Sequence, residues 1–65
     1  MKLGQTVYTV NNVTNKVDSW TLIGSITTKD ESLLRLEKGD KRLFLPKRCV
    51  FESEFEAKFI AGSYQ

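Results

Sequence analysis

The sequence predicts an α+β chain that is mainly β: a bent four-stranded antiparallel sheet, or a small barrel, with one short C-terminal helix. Three observations predict it. Four short segments rich in β-branched and aromatic residues are separated by polar or glycine-containing breaks. The hydrophobic period changes after residue 52, where Phe55 and Phe59 stand four apart. The chain has 65 residues, 40% of them hydrophobic, which is material for one small core and a single domain over 1–65.

The first strand is predicted over Gln5-Thr6-Val7-Tyr8-Thr9-Val10, with Tyr8 and Val10 on one face. Asn11-Asn12 breaks it, and residues 11–16 read as an exposed loop, because asparagine tolerates left-handed backbone and bonds its own main chain. The second strand runs from Val17 to about Thr28, with Trp20, Leu22 and Ile26 expected on one face and Ser19, Thr21 and Ser25 on the other. Gly24 in its middle marks a bulge or sharp bend, the device by which small barrels fold a sheet over on itself. Lys29-Asp30-Glu31 is a charged turn.

Segments three and four form a hairpin. Ser32 to Glu37 places Leu34 and Leu36 opposite Leu33 and Arg35, and Lys38-Gly39-Asp40-Lys41 is a glycine-containing loop of hairpin length. Arg42 to Leu45 follows and stops at Pro46, which cannot donate to a ladder. Ser53-Glu54-Phe55-Glu56 reads as a capping box, with Ser53 accepting from the amide of Glu56 and the Glu56 carboxylate reaching back. Ala57 and Ala61 favour a helix, and Gly62 is a plausible stop. A helix this short must dock on the sheet; Phe51, Phe55 and Phe59 are the expected packing between them, with Tyr64 near that contact. The resulting shape is a small, strongly bent, SH3-like barrel or half-barrel closed by the helix.

Composition excludes several classes. A single cysteine, Cys49, cannot form an internal disulfide, and without histidine a closed zinc site is not expected. The longest apolar runs are three residues, so no membrane span is expected, and the N-terminus turns polar too early for a signal peptide. Asn12-Val13-Thr14 matches a glycosylation acceptor, which is idle in a protein of the expected cytoplasmic setting. Catalysis lacks its commonest acid–base group. Glu52, Glu54 and Glu56 cluster where carboxylates stabilise a helix start. Cys49 lies beside Arg48, which favours thiolate, but its neighbours Val50 and Phe51 make it read as a small core residue. No cofactor and no enzymatic activity are expected.

Charge supplies the strongest functional signal. The net charge is +2, yet residues 31–51 carry +3 and the last fourteen carry −2. Arg35, Lys38, Lys41, Arg42, Lys47 and Arg48, with Phe44 as a stacking platform, form a candidate binding patch. The bland alternative is that these cations guard hairpin edges against aggregation. Trp20 is a candidate aromatic anchor, because Asp18 and Ser19 suggest the exposed start of a strand. An unclosed sheet also leaves an edge strand open to a partner's strand or to a second copy.

Two stretches carry a resemblance: Gly4-Gln5-Thr6-Val7-Tyr8, of the form Gly-x-x-Val-Tyr, and Val50-Phe51-Glu52-Ser53-Glu54-Phe55-Glu56-Ala57, of the form Val-Phe-x-Ser/Thr-x-x-Glu-Ala. With a bent sheet between them, the chain resembles a loose group of small proteins encoded by phages, prophages and plasmids. That group shares no assigned activity, so the resemblance implies the fold and carries over no functional residues. Two functions follow as expectations. The first is a non-enzymatic protein-binding module, a phage or mobile-element protein acting on a host protein, as a monomer or a weak homodimer through an edge strand. The alternative is a small-barrel nucleic-acid binder using the basic hairpin.

Overall fold

A computed structural model of the chain describes residues 2–11 and 13–62. Four strands, β1 (Thr6–Val10), β2 (Val17–Thr27), β3 (Ser32–Lys38) and β4 (Lys41–Pro46), form one antiparallel sheet in chain order. A short 3-10 turn (Lys47–Cys49) and one helix, α1 (Glu54–Gly62), follow. The fold is therefore α+β and mainly β. Asn12 of the predicted loop and Tyr64 lie outside the described residues.

Local chemistry explains each connection. The Asn11 side-chain oxygen accepts from the amides of Val13 and Thr14, at 2.9 and 3.2 Å, and Asn15 adopts a left-handed φ of 57°. Thr28 closes the β2–β3 turn: its hydroxyl donates to the Glu31 carbonyl at 2.7 Å and accepts the Glu31 amide at 3.0 Å. Between β3 and β4 only Gly39 and Asp40 intervene, and Gly39 takes φ 60°, the positive value that tight hairpin turns require.

The Gly24 bulge is present and has a larger consequence than a bend. Leu22 pairs with Leu36 but Gly24 pairs with Arg35, so Ile23 is the extra residue. The alternation of β2 thus changes phase. Trp20 and Leu22 share the core face with Ser25, which pairs with buried Leu34, whereas Ile26 pairs with Leu33 on the opposite face. The expectation that Ile26 sides with Leu22 is corrected: Ile26 is 45% exposed.

The core is one cluster of Val7, Leu22, Leu34, Leu36 and Val50, rimmed by Trp20, Leu43 and Leu45. Its members come from β1, β2, β3 and the segment after the 3-10 turn, and β4 supplies the rim residues Leu43 and Leu45. That last segment also ties the sheet's ends together. Tyr8 and Phe51 exchange two backbone hydrogen bonds of 2.8 Å, so the outer edge of β1 is bridged to the chain beyond β4. The sheet curls toward closure through this one bridge.

Helix α1 rests on β1 and β2. Its docking differs from expectation. Ala57 and Ala61 are the buried helix residues, while Phe55 is 79% exposed and Phe59 71% exposed. Positions 55/59 and 57/61 lie about 200° apart around a helix, so only one pair can face the sheet. The alanines face it, which lets the helix backbone approach closely. Phe51 alone of the three expected packing phenylalanines is half-buried. The cap is also simpler than a reciprocal box: the Ser53 hydroxyl accepts from the amide of Phe55 at 3.2 Å, not from Glu56.

Candidate functional site

Strand alternation divides the predicted basic patch among three places. On the outward face of the sheet, Arg35 of β3 and Phe44 of β4 are cross-strand partners, with Arg42 opposite Glu37 one step along. The Arg35 guanidinium stands 5.6 Å from the Phe44 ring centroid, and Phe44 is 52% exposed. Leu33 pairs with Pro46 and with Ile26, extending this face with apolar surface.

Lys38 and Lys41 flank the hairpin tip. Lys38 points to the other face, where it sits 5.6 Å from the Trp20 ring centroid and 3.6 Å from the Asp18 carboxylate. Lys47 and Arg48 occupy the 3-10 turn at the far end of β4, roughly 20 Å from the tip by strand rise. Arg35, Phe44 and Arg42 are thus brought together, and the two lysines of the tip and the pair at residues 47–48 are not.

Ion pairing removes half of the patch's cations from ready use. Lys38 pairs with Asp18, Arg42 with Glu37 at 3.3 Å, and Arg48 with Glu31. The Glu31 hydrogen bond and charge raise the Arg48 pKa above its ordinary value, a local sign of the same pairing. Arg35, Lys41 and Lys47 have no ion-pair partner among the described residues.

Trp20 is a correction to the expected exposed anchor. It is half-buried on the rim of the core, and its indole N–H donates to the hydroxyl of buried Thr9 at 3.0 Å. Cys49 is corrected in the opposite sense: it is exposed on the 3-10 turn, because Val50 takes the core position beside it.

A surface that sequence reasoning assigned to the interior is the most distinctive one here. Phe51, Phe55, Phe59 and Ile60, with Glu56 at the border, line a shallow apolar hollow on the solvent side of α1. Glu54, on the flank of that face, pairs with Lys58 at 2.8 Å, one turn on, and this hydrogen bond and charge raise the Lys58 pKa. The signal was present in the sequence as a second i, i+4 stripe, Ala57 and Ala61, competing with the phenylalanines for the sheet.

Among the described residues no group of three histidine, cysteine or acidic side chains gathers as a metal site. Nor is any helix there long and apolar enough to cross a membrane. No protein-family model, no curated protein and no solved structure matches this chain.

Proposed function

We propose that this chain is a small non-enzymatic module that binds a protein, with the outer face of α1 as its contact. The observation that carries the reading is the exposure of Phe55 and Phe59, 79% and 71%, one helical turn apart. A domain with few core side chains gains nothing in its own stability by leaving two aromatic rings in water. Aromatic side chains at i and i+4 are the anchors by which a helix enters a partner's groove. The two rings expose roughly 300 Å², less than the ~800 Å² per side of a standard interface. A groove that takes this helix therefore also covers Phe51 and Ile60. Residues 52–58 hold Glu52, Glu54 and Glu56 against Lys58, and Glu56 borders the hollow, so the complementary groove is apolar with a basic rim. A phage or mobile-element protein acting on a host protein belongs to the same proposal and is supported by the resemblance in residues 4–8 and 50–57, and a cytoplasmic setting is supported by the lone Cys49.

Nucleic-acid binding is the second reading, favoured by the Arg35–Phe44 stack on an open face. One experiment separates the two. The purified protein is titrated with short DNA and RNA at low and moderate salt, following Trp20 fluorescence, and is used in parallel as bait on the lysate of its source cell. The protein reading expects no nucleic-acid binding and a captured protein whose retention tolerates salt and is lost in Phe55→Ser/Phe59→Ser. Salt-sensitive binding of oligonucleotides, abolished by Arg35→Ala/Phe44→Ala, would overturn it.

A further inference from the structure

We propose that the inner face of the sheet, at the end where β2 turns into β3, is a binding site for a small monocarboxylate carrying an alkyl chain. The site begins with the β2 bulge. Continued without a bulge, the Leu22–Leu36 register would carry Ile26 to the inner face, opposite Ser32. With Ile23 left over, Ser25 and Thr27 take the inner positions instead, opposite Leu34 and Ser32, and Ile26 is turned out into solvent. On this face the sheet therefore ends in hydroxyl side chains where an aliphatic one would have filled the space. A hollow of about 500 Å³ remains there, within the size range of small-molecule sites.

Its walls are of two kinds. Buried Leu22 and Leu34 form an apolar floor, and exposed Leu3 stands at the rim. Ser25, Thr27 and Ser32 line the same space, and their hydroxyls take no hydrogen-bond partner among the described residues. Lys47, on the exposed 3-10 turn, completes the lining. An unfilled hollow beside an outward-turned isoleucine works against the stability of so small a domain, and departures of this kind are expected where a chain has a ligand to hold.

Charge selects the ligand. Lys47 has no ion-pair partner among the described residues. It also borders a neighbouring hollow with Glu31 and Arg48, but there Arg48 engages Glu31 and the two charges cancel. The Lys47 ammonium is left as the one uncompensated charge of the two hollows, which matches a monoanion rather than a phosphate dianion. The ammonium supplies charge-assisted hydrogen bonds to a carboxylate and the hydroxyls are further donors. The leucines of floor and rim take the hydrocarbon. This site is separate from the helix face, since none of Phe51, Phe55, Phe59 and Ile60 lines it.

The test is titration of the isotope-labelled protein with sodium octanoate from about 10 μM to about 10 mM, the affinity range open to so small a ligand, followed by amide chemical shifts. Octanol and octylammonium are run alongside. Octanoate is expected to bind and to shift the amides of Ser25, Thr27, Ser32, Leu34 and Lys47, and octylammonium is expected to leave them unmoved. Lys47→Gln removes the charge from an exposed turn and is expected to weaken octanoate about tenfold without changing octanol. Ser25→Leu fills the hollow and is expected to abolish binding in a folded domain, whereas Phe55→Ser/Phe59→Ser is expected to leave it intact. Four results would each overturn the proposal: no octanoate binding across the range, the three octyl compounds bound alike, octanoate binding indifferent to Lys47→Gln, or shifts centred on Phe55 and Phe59. The last would place an apolar ligand on the helix face, and none of the four touches the groove-binding reading, which the captured protein tests.

Discussion

Replacing Phe55 and Phe59 by alanine tests the docking of α1 directly, because two packing arrangements predict very different costs. If the rings packed between helix and sheet, each truncation would cost about 3–5 kcal/mol. In the structure about a fifth of Phe55 and under a third of Phe59 are covered. On a phenylalanine area of roughly 200 Å² this is about 40 to 60 Å² each, or about 1 to 1.5 kcal/mol at ~25 cal/mol per Å². Alanine's better helix propensity returns about 0.5 kcal/mol, so each variant is expected to lose under about 1 kcal/mol. Leu36→Ala is the internal standard: Leu36 is fully buried, and its truncation is expected to cost about 2–5 kcal/mol. Urea titration followed by Trp20 fluorescence reads all three. In a domain this small 1 kcal/mol moves the thermal midpoint by about 4–8 °C, so the contrast is easily resolved. Loss of folding in Phe55→Ala or Phe59→Ala comparable to Leu36→Ala would refute the argument that the alanine stripe docks the helix.

Three further predictions follow from single contacts. Ser53→Ala removes the bond to the Phe55 amide and is expected to cost about 1 kcal/mol, visible as reduced helical ellipticity before the main transition. Gly39→Ala forces a Cβ into a residue with φ 60°; its cost of about 1–2 kcal/mol is measured as a lower urea midpoint. Thr9→Val leaves the Trp20 indole N–H without its acceptor, with an expected loss of about 1–3 kcal/mol and a changed Trp20 emission maximum in the native baseline.

Much of the fold was legible because local signals agreed with each other. The hairpin at Gly39-Asp40, the Asn11 turn, the Gly24 bulge and the Ser53 cap are each written in residues whose backbone preferences leave few alternatives. What was not legible depended on tertiary choice. Two stripes of α1 offered themselves to the sheet, and hydrophobicity alone favours phenylalanine, whereas close approach of the backbones favours alanine. The bulge was foreseen at Gly24, but whether it shifts the phase of Ile26 depends on which residue is left unpaired, and only the register with β3 decides that. The basic patch illustrates the same limit. Its members all fall within residues 35–48, yet a period of two sends Lys38 to the Trp20 side and Arg35 to the Phe44 side, and the carboxylates that pair with Lys38 and Arg48 are Asp18 and Glu31, distant in the chain.

The bridge between Tyr8 and Phe51 gives the chain an order of assembly. Every strand pairing within the sheet joins neighbours along the sequence and closes over a short connection. The bridge instead joins positions 8 and 51, so most of the chain lies within the loop it closes. Local hairpins can form on microsecond times without it, but Val50 enters the core and α1 reaches β1 and β2 only when the two ends meet. Closure is thus the pairing with the largest loop-closure cost in the sheet, and the helix docks with it. A nascent chain still held at residue 45 would carry hairpins and exposed leucines, but no sealed core.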